Sequence, residues 1–175
     1  MFTRCTIAGS GCKCLSLICK ATYPNKSSEF PMSLRSVSIA DILSDPHQIQ
    51  NFAESYNSRI DKVPRILKSM LGSERIIIKI SLSNGNVFRL GYETENARIV
   101  KIVEGGLNNP TIVVVTNQST IEKINSSKDP LDTFRRERGI GNLSIDGQTL
   151  ATKAKLCAAL SSDSLLWFFY SILFC

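Results

Sequence analysis

The chain has 175 residues, 43% of them hydrophobic and 21% charged, which excludes wholesale disorder and corresponds to about one domain. Its 21 lysines and arginines against 15 acids give +6, but residues 1–31 hold half of that excess, so charge alone does not point to nucleic acid. The single histidine, His47, excludes His-based metal clusters and the two-histidine zinc-protease motif.

Residues 1–31 show no sustained period. Four basic residues (Arg4, Lys13, Lys20, Lys26) with no acid before Glu29 fit an organelle-targeting composition, while Met32 offers a second start that would make everything upstream an extension or a mis-assigned frame. Four of the six cysteines (Cys5, Cys12, Cys14, Cys19) also fall here, the others being Cys157 and Cys175. That crowding is unlike a disulfide framework, so reduced thiols and a cytoplasmic location are expected.

The first strong helix start is Asp45-Pro46-His47-Gln48: an Asp N-cap, Pro at the first helical position, and Gln placed to return a capping bond. Ile49, Phe52, Ala53, Tyr56 and Ile60 follow at helical spacing, and after Pro64 a second short amphipathic piece carries Ile66, Leu67, Met70 and Leu71. The period then becomes two. Ile76, Ile78, Ile80 and Leu82 line one face of a strand, and Phe88, Leu90 and Tyr92 one face of the next. Between them a two-residue turn would place Arg89 on the apolar face. A three-residue loop, Asn84-Gly85-Asn86, pairs Leu82 with Phe88 and Ile80 with Leu90 and keeps the faces consistent.

Residues 97–103 and 111–116 are further strands, the second so continuously apolar (Ile112, Val113, Val114, Val115) that it reads as covered on both sides. Glu93 and Glu95 fall in a predicted turn. Ser119-Thr120-Ile121-Glu122 offers a capping box, and Asp129-Pro130-Leu131-Asp132 repeats the Asp-Pro start, with Phe134 on the helix that follows. Residues 139–147 return to alternation with Leu143 and Ile145 on one face, and residues 150–160 form a helix whose small-residue face is Ala151, Ala154, Cys157 and Ala158. The sum is an α+β domain: a mainly antiparallel sheet of about five strands with helices packed on one face.

The last apolar run, residues 165–175, would span about 16 Å as a helix, too short for roughly 30 Å of bilayer hydrocarbon. Extending it back to Leu156 places Asp163 inside the membrane. A short terminal helix after Ser161 and Ser162 is expected instead. The organisation is then an N-terminal extension at 1–31, a folded domain at 32–160 and an apolar C-terminal helix at 161–175.

Asp129-Pro130 with Phe134, then Gly141-Asn142-Leu143-Ser144-Ile145-Asp146-Gly147, then the Ala/Lys helix from Ala151 to Leu156, preceded by antiparallel strands, resembles the sterol carrier protein type 2 family over residues 45–160. The segment 135–140 is longer and more charged than that pattern. The resemblance implies a non-enzymatic domain that binds or transfers a lipid in an apolar tunnel between sheet and helices, the ligand being a fatty acyl chain, a sterol or a similar molecule. Its lining has no signature, so the candidate residues come from the face assignment: Ile78, Ile80, Phe88, Leu90, Val113, Val115, Phe134 and Leu143, with Trp167 and Phe168 as a C-terminal gate.

Each of these also reads as ordinary core. The alternative function is a protein-interaction or membrane-associated domain docking through the C-terminal helix, which allows transient membrane contact and oligomer formation. Arg135, Arg136 and Arg138 form the one dense basic cluster, but base-stacking aromatics are missing apart from Phe134, so a solvated helix face is expected and nucleic acid is not. No nucleophile elbow or phosphate-cradling loop is present; no catalytic residue, metal or cofactor is expected.

Overall fold

In a computed structural model of the chain, the residues described are 45, 47–60, 68 and 72–161. Helix α1 (Gln48–Ile60) is followed by strands β1 (Arg75–Ser81), β2 (Val87–Glu95), β3 (Arg98–Glu104) and β4 (Ile112–Asn117). Then come helices α2 (Gln118–Asn125) and α3 (Pro130–Gly139), strand β5 (Ser144–Gly147) and helix α4 (Leu150–Leu160). The sheet order is β3-β2-β1-β4-β5, antiparallel except that β1 and β4 run parallel at its centre. The expected α+β architecture is the one found. The predicted piece around Ile66 to Leu71 and the C-terminal helix with Trp167 and Phe168 lie outside the described residues.

Period-two alternation sets the two faces. Along β1, Ile76, Ile78 and Ile80 are buried, and their register partners Tyr92, Leu90 and Phe88 on β2 and Ile112, Val114 and Thr116 on β4 share that inner face. Helix residues Phe52, Tyr56, Ile60, Ile121, Ile124, Phe134, Leu156 and Ala159 belong to the same buried cluster. On the outer face, Arg75, Glu93 and Lys101 form an ion ladder across three strands, at 3.5 and 3.9 Å. Glu93 is therefore a strand residue with two cationic neighbours rather than part of a turn.

The β1–β2 loop has the expected length but sits one residue earlier. Ile80 pairs with Phe88 and Ser81 with Val87, so the loop is Ser83-Asn84-Gly85. Gly85, at φ +85°, takes the left-handed position at which such loops rejoin the ladder. Moving the loop by one residue moves the pairing by two, so every side chain keeps its face. In β3 a bulge opposite Glu93 and Thr94 places Ile99 opposite Thr94 and Ile102 opposite Tyr92, so two isoleucines three apart both point inward.

Side-chain caps fix the helix starts. Asp45 Oδ1 accepts from the His47 amide at 3.0 Å and Oδ2 from the Gln48 side chain at 3.2 Å. Asp129 caps α3 through the Asp132 amide at 3.0 Å, with Pro130 in its first turn as expected. For α2 the cap is Asn117, which accepts from the Thr120 amide at 2.8 Å, two residues before the predicted box, because β4 runs directly into the helix. In α4 the buried face is Thr152, Leu156 and Ala159, while Ala151, Ala154 and Ala158 are exposed. The small-residue face is thus not the buried one, since alanine has little area to bury. Cys157 is disulfide-bonded, against the expected free thiol. Spacing along the chain does not report which cysteines meet in space.

Candidate functional site

The candidate site is the inner face of the sheet, an apolar floor with a half-buried rim at one end. Ile78, Ile80 and Leu90 lie together on that floor, and Leu143 and Phe134 are buried in the same cluster; none of the five is more than 1% exposed. A void large enough for water would leave part of such a lining accessible, so these side chains are close-packed against their neighbours. Phe88 lies on the same face but is half-buried: β3 ends at Glu104 opposite Leu90, so Phe88 has no register partner on β3. Leu82 and Ile102 are likewise half-buried against the core. Leu82 and Phe88 form the rim at the hairpin end, while Ile102 is half-buried on the β3 edge opposite Tyr92.

Val113 and Val115 are placed elsewhere. They pair with Ile77 and Lys79 on the outer face, and Val115 is 41% exposed. The unbroken apolar run of β4 reflects its central, parallel position, where adjacent positions face opposite sides of the sheet; it does not mean both sides are covered. Trp167 and Phe168 lie outside the described residues.

Helix α1 is held over the other end of β3. The Asn57 side chain donates to the Ile99 carbonyl and accepts from the Ile99 amide, both at 2.8 Å, as a neighbouring strand would. The Tyr56 hydroxyl donates to the Ala97 carbonyl at 2.6 Å. Together they occupy part of the β3 edge and leave the rim at the hairpin end. The glycine-bracketed strand has a backbone explanation: Gly141 takes φ +86° just after α3, and a Cβ on Gly147 would sit 2.6 Å from the Lys153 amide nitrogen of α4.

The two buried carboxylates each have their own cation. Glu74 accepts from Lys155 at 2.9 Å and from Thr111 at 2.7 Å. Glu137 faces Lys123 at 2.5 Å and its Oε2 accepts from the Asn142 side-chain Nδ2 at 2.8 Å. The Lys123 contact, then the Asn142 hydrogen bond, hold its carboxyl below the usual range against the opposing effect of burial. Both pairs tie helices to the rest of the fold. Of the basic cluster, Arg135 and Arg136 are exposed and Arg138 is half-buried. Among the described residues no group of three or more His, Cys, Asp or Glu side chains could hold a metal, and no helix is long and apolar enough to cross a membrane.

Sequence reasoning did not single out Tyr92, although it placed it on the correct face. The phenol is fully buried among inner-face residues and its hydroxyl makes no hydrogen bond. Alternation marks such a tyrosine as apolar and carries no signal for an unpaired hydroxyl.

No family model matches the sequence, and no curated protein does. Solved structures are similar in fold. A conserved hypothetical protein of Thermus thermophilus, described as possibly a sterol carrier protein, has a TM-score of 0.43 at 13% identity, covering 67% of this chain and 80% of its own. Sterol carrier protein 2 like 2 of Aedes aegypti has a TM-score of 0.42 at 15% identity, with coverages of 65% and 96%. The sterol carrier protein domain 2 of Helicoverpa armigera has 0.43 at 12%, with 67% and 88%. At these values what those proteins bind is not transferred to this chain, and the architecture rests on the strand order and register given above.

Proposed function

We propose that this chain is a non-enzymatic lipid-binding domain that takes one elongated apolar ligand, a fatty acyl chain, a sterol or a similar molecule, against the inner face of its sheet. The observation that carries this reading is the rim. Leu82 and Phe88 extend the apolar floor to the hairpin end of the sheet, where they remain half-buried beyond the last β3 pairing, Glu104 opposite Leu90. A chain laid along them buries apolar area worth about 25 cal/mol per Å². The close-packed floor means that binding deeper than the rim displaces side chains, so the ligand enters with a rearrangement. The C-terminal apolar run is proposed to join the site through Trp167 and Phe168.

The packed floor also favours a second reading, in which the interior is closed core and the domain works by docking to a protein or a membrane. The single tryptophan separates the two. Titration of the full chain with a monomeric long-chain acyl ligand, with empty vesicles in parallel, should give a saturable shift of Trp167 emission with ligand and none with vesicles. A shift with vesicles only would move the function to the membrane. No shift with either would leave the C-terminal run out of the site.

A further inference from the structure

Three buried side-chain polar atoms among the described residues make no hydrogen bond: Arg75 Nε, Glu137 Oε1 and the Tyr92 hydroxyl. The first two face opposite charges, 3.5 Å from Glu93 and 2.5 Å from Lys123. The Tyr92 hydroxyl has no such partner. It sits in the second strand of the sheet order, opposite Ile76 on β1 and Ile102 on β3, so its register neighbours are hydrocarbon and one of them, Ile102, is half-buried at the sheet edge. The Tyr56 hydroxyl is committed to the Ala97 carbonyl. A buried hydroxyl left unpaired is destabilising, and phenylalanine would fill the same space without that cost.

We propose that the Tyr92 hydroxyl is the polar anchor of the ligand site, donating a hydrogen bond to an uncharged oxygen, an alcohol or ester, at the end of an apolar chain bound along the inner face from the rim. This rests on the lipid-binding reading above and adds the chemistry of the ligand's polar end. Burial, then the neighbouring Tyr56 phenol, hold the Tyr92 phenol well above its ordinary value, so it is a donor throughout the physiological range. Neither of these influences comes from a cation. The buried carboxylates Glu74 and Glu137 already engage Lys155 and Lys123. A ligand carboxylate brought to Tyr92 would leave water for a single hydrogen bond and no counter-charge, whereas a neutral oxygen loses far less.

The test is calorimetric titration of the full chain and of Tyr92→Phe with 1-decanol, decane and decanoate, each kept monomeric. The wild-type protein should bind decanol about tenfold more tightly than decane and more tightly than decanoate. Tyr92→Phe should bind decanol only as well as decane, and without ligand it should melt at a higher temperature than wild type. An unchanged decanol preference in Tyr92→Phe would overturn the anchor, as would decanoate binding as tightly as decanol. A lower melting temperature would show that the hydroxyl has a structural partner, which also overturns it. Equal binding of decanol and decane by the wild type removes the anchor and keeps the lipid site; binding of none of the three removes the lipid site itself.

Discussion

Replacing Asn57 with alanine removes the clamp that seats α1 on the sheet. Two hydrogen bonds of 2.8 Å, to the amide and the carbonyl of Ile99, are lost together. At about 1 kcal/mol net each they sum to about 2 kcal/mol. Ile99 is only 6% exposed, so its amide and carbonyl do not rehydrate freely, which raises the cost toward about 4 kcal/mol. Alanine returns roughly 0.5 kcal/mol of helix propensity. The expected loss is therefore about 2–3 kcal/mol, a substantial share of the roughly 5–15 kcal/mol that holds a typical domain together. Urea unfolding measures the total, and amide hydrogen exchange at Ile99 measures the site. Protection at Ile99 should fall by more than protection in β1, because β1 keeps both of its neighbouring strands. A loss below about 0.5 kcal/mol, or unchanged exchange at Ile99, would refute the claim that this side chain substitutes for a strand on the β3 edge.

Other variants test other parts of the fold. Gly147→Ala places a Cβ 2.6 Å from the Lys153 nitrogen and 2.8 Å from the Thr152 carbonyl carbon, so α4 must move off β5. A loss of about 1–3 kcal/mol is expected in urea unfolding, and wild-type stability would refute the close approach. Glu137→Gln should cost about 1–3 kcal/mol at neutral pH. Because the folded carboxyl is held below its usual range, its contribution is complete above the unfolded value near about 4.3 and is lost as pH falls through the lower folded value. The stability difference between wild type and variant should therefore shrink as acid is added, and a pH-independent difference would contradict the assignment. Gly85→Ala forces a methyl group onto a φ of +85° and should cost about 1 kcal/mol, with the loop rather than the core losing exchange protection.

Alternation and capping chemistry made most of the architecture readable. Arg89 forbade a two-residue turn, and the parity argument placed every β1 and β2 side chain on the correct face even though the loop itself sits one residue earlier. Asp45 and Asp129 announced their helices because the same side chain that ends the preceding segment accepts the first amides. What was misread shares a cause: local pattern does not report the other side of an element. Val113 and Val115 looked like lining because a hydrophobic strand residue carries no label for its face, and only the register with Ile77 and Lys79 supplies one. The Asn57 clamp depends on a contact between residues 42 positions apart, which no short window of sequence contains, and the unpaired Tyr92 hydroxyl leaves no mark in the pattern.

The central claim is that ligand lies on the inner, rim side of the sheet and not on its outer face. It is tested most directly by comparing Phe88→Asp with Val115→Asp in the full chain, measuring the affinity of one monomeric fluorescent long-chain acyl probe after circular dichroism has confirmed folding. A carboxylate at Phe88 should weaken binding by about tenfold or more, because it places a charge where the chain must lie, while Val115→Asp should stay within about twofold of wild type. Loss of binding in Val115→Asp with Phe88→Asp unaffected would contradict the account.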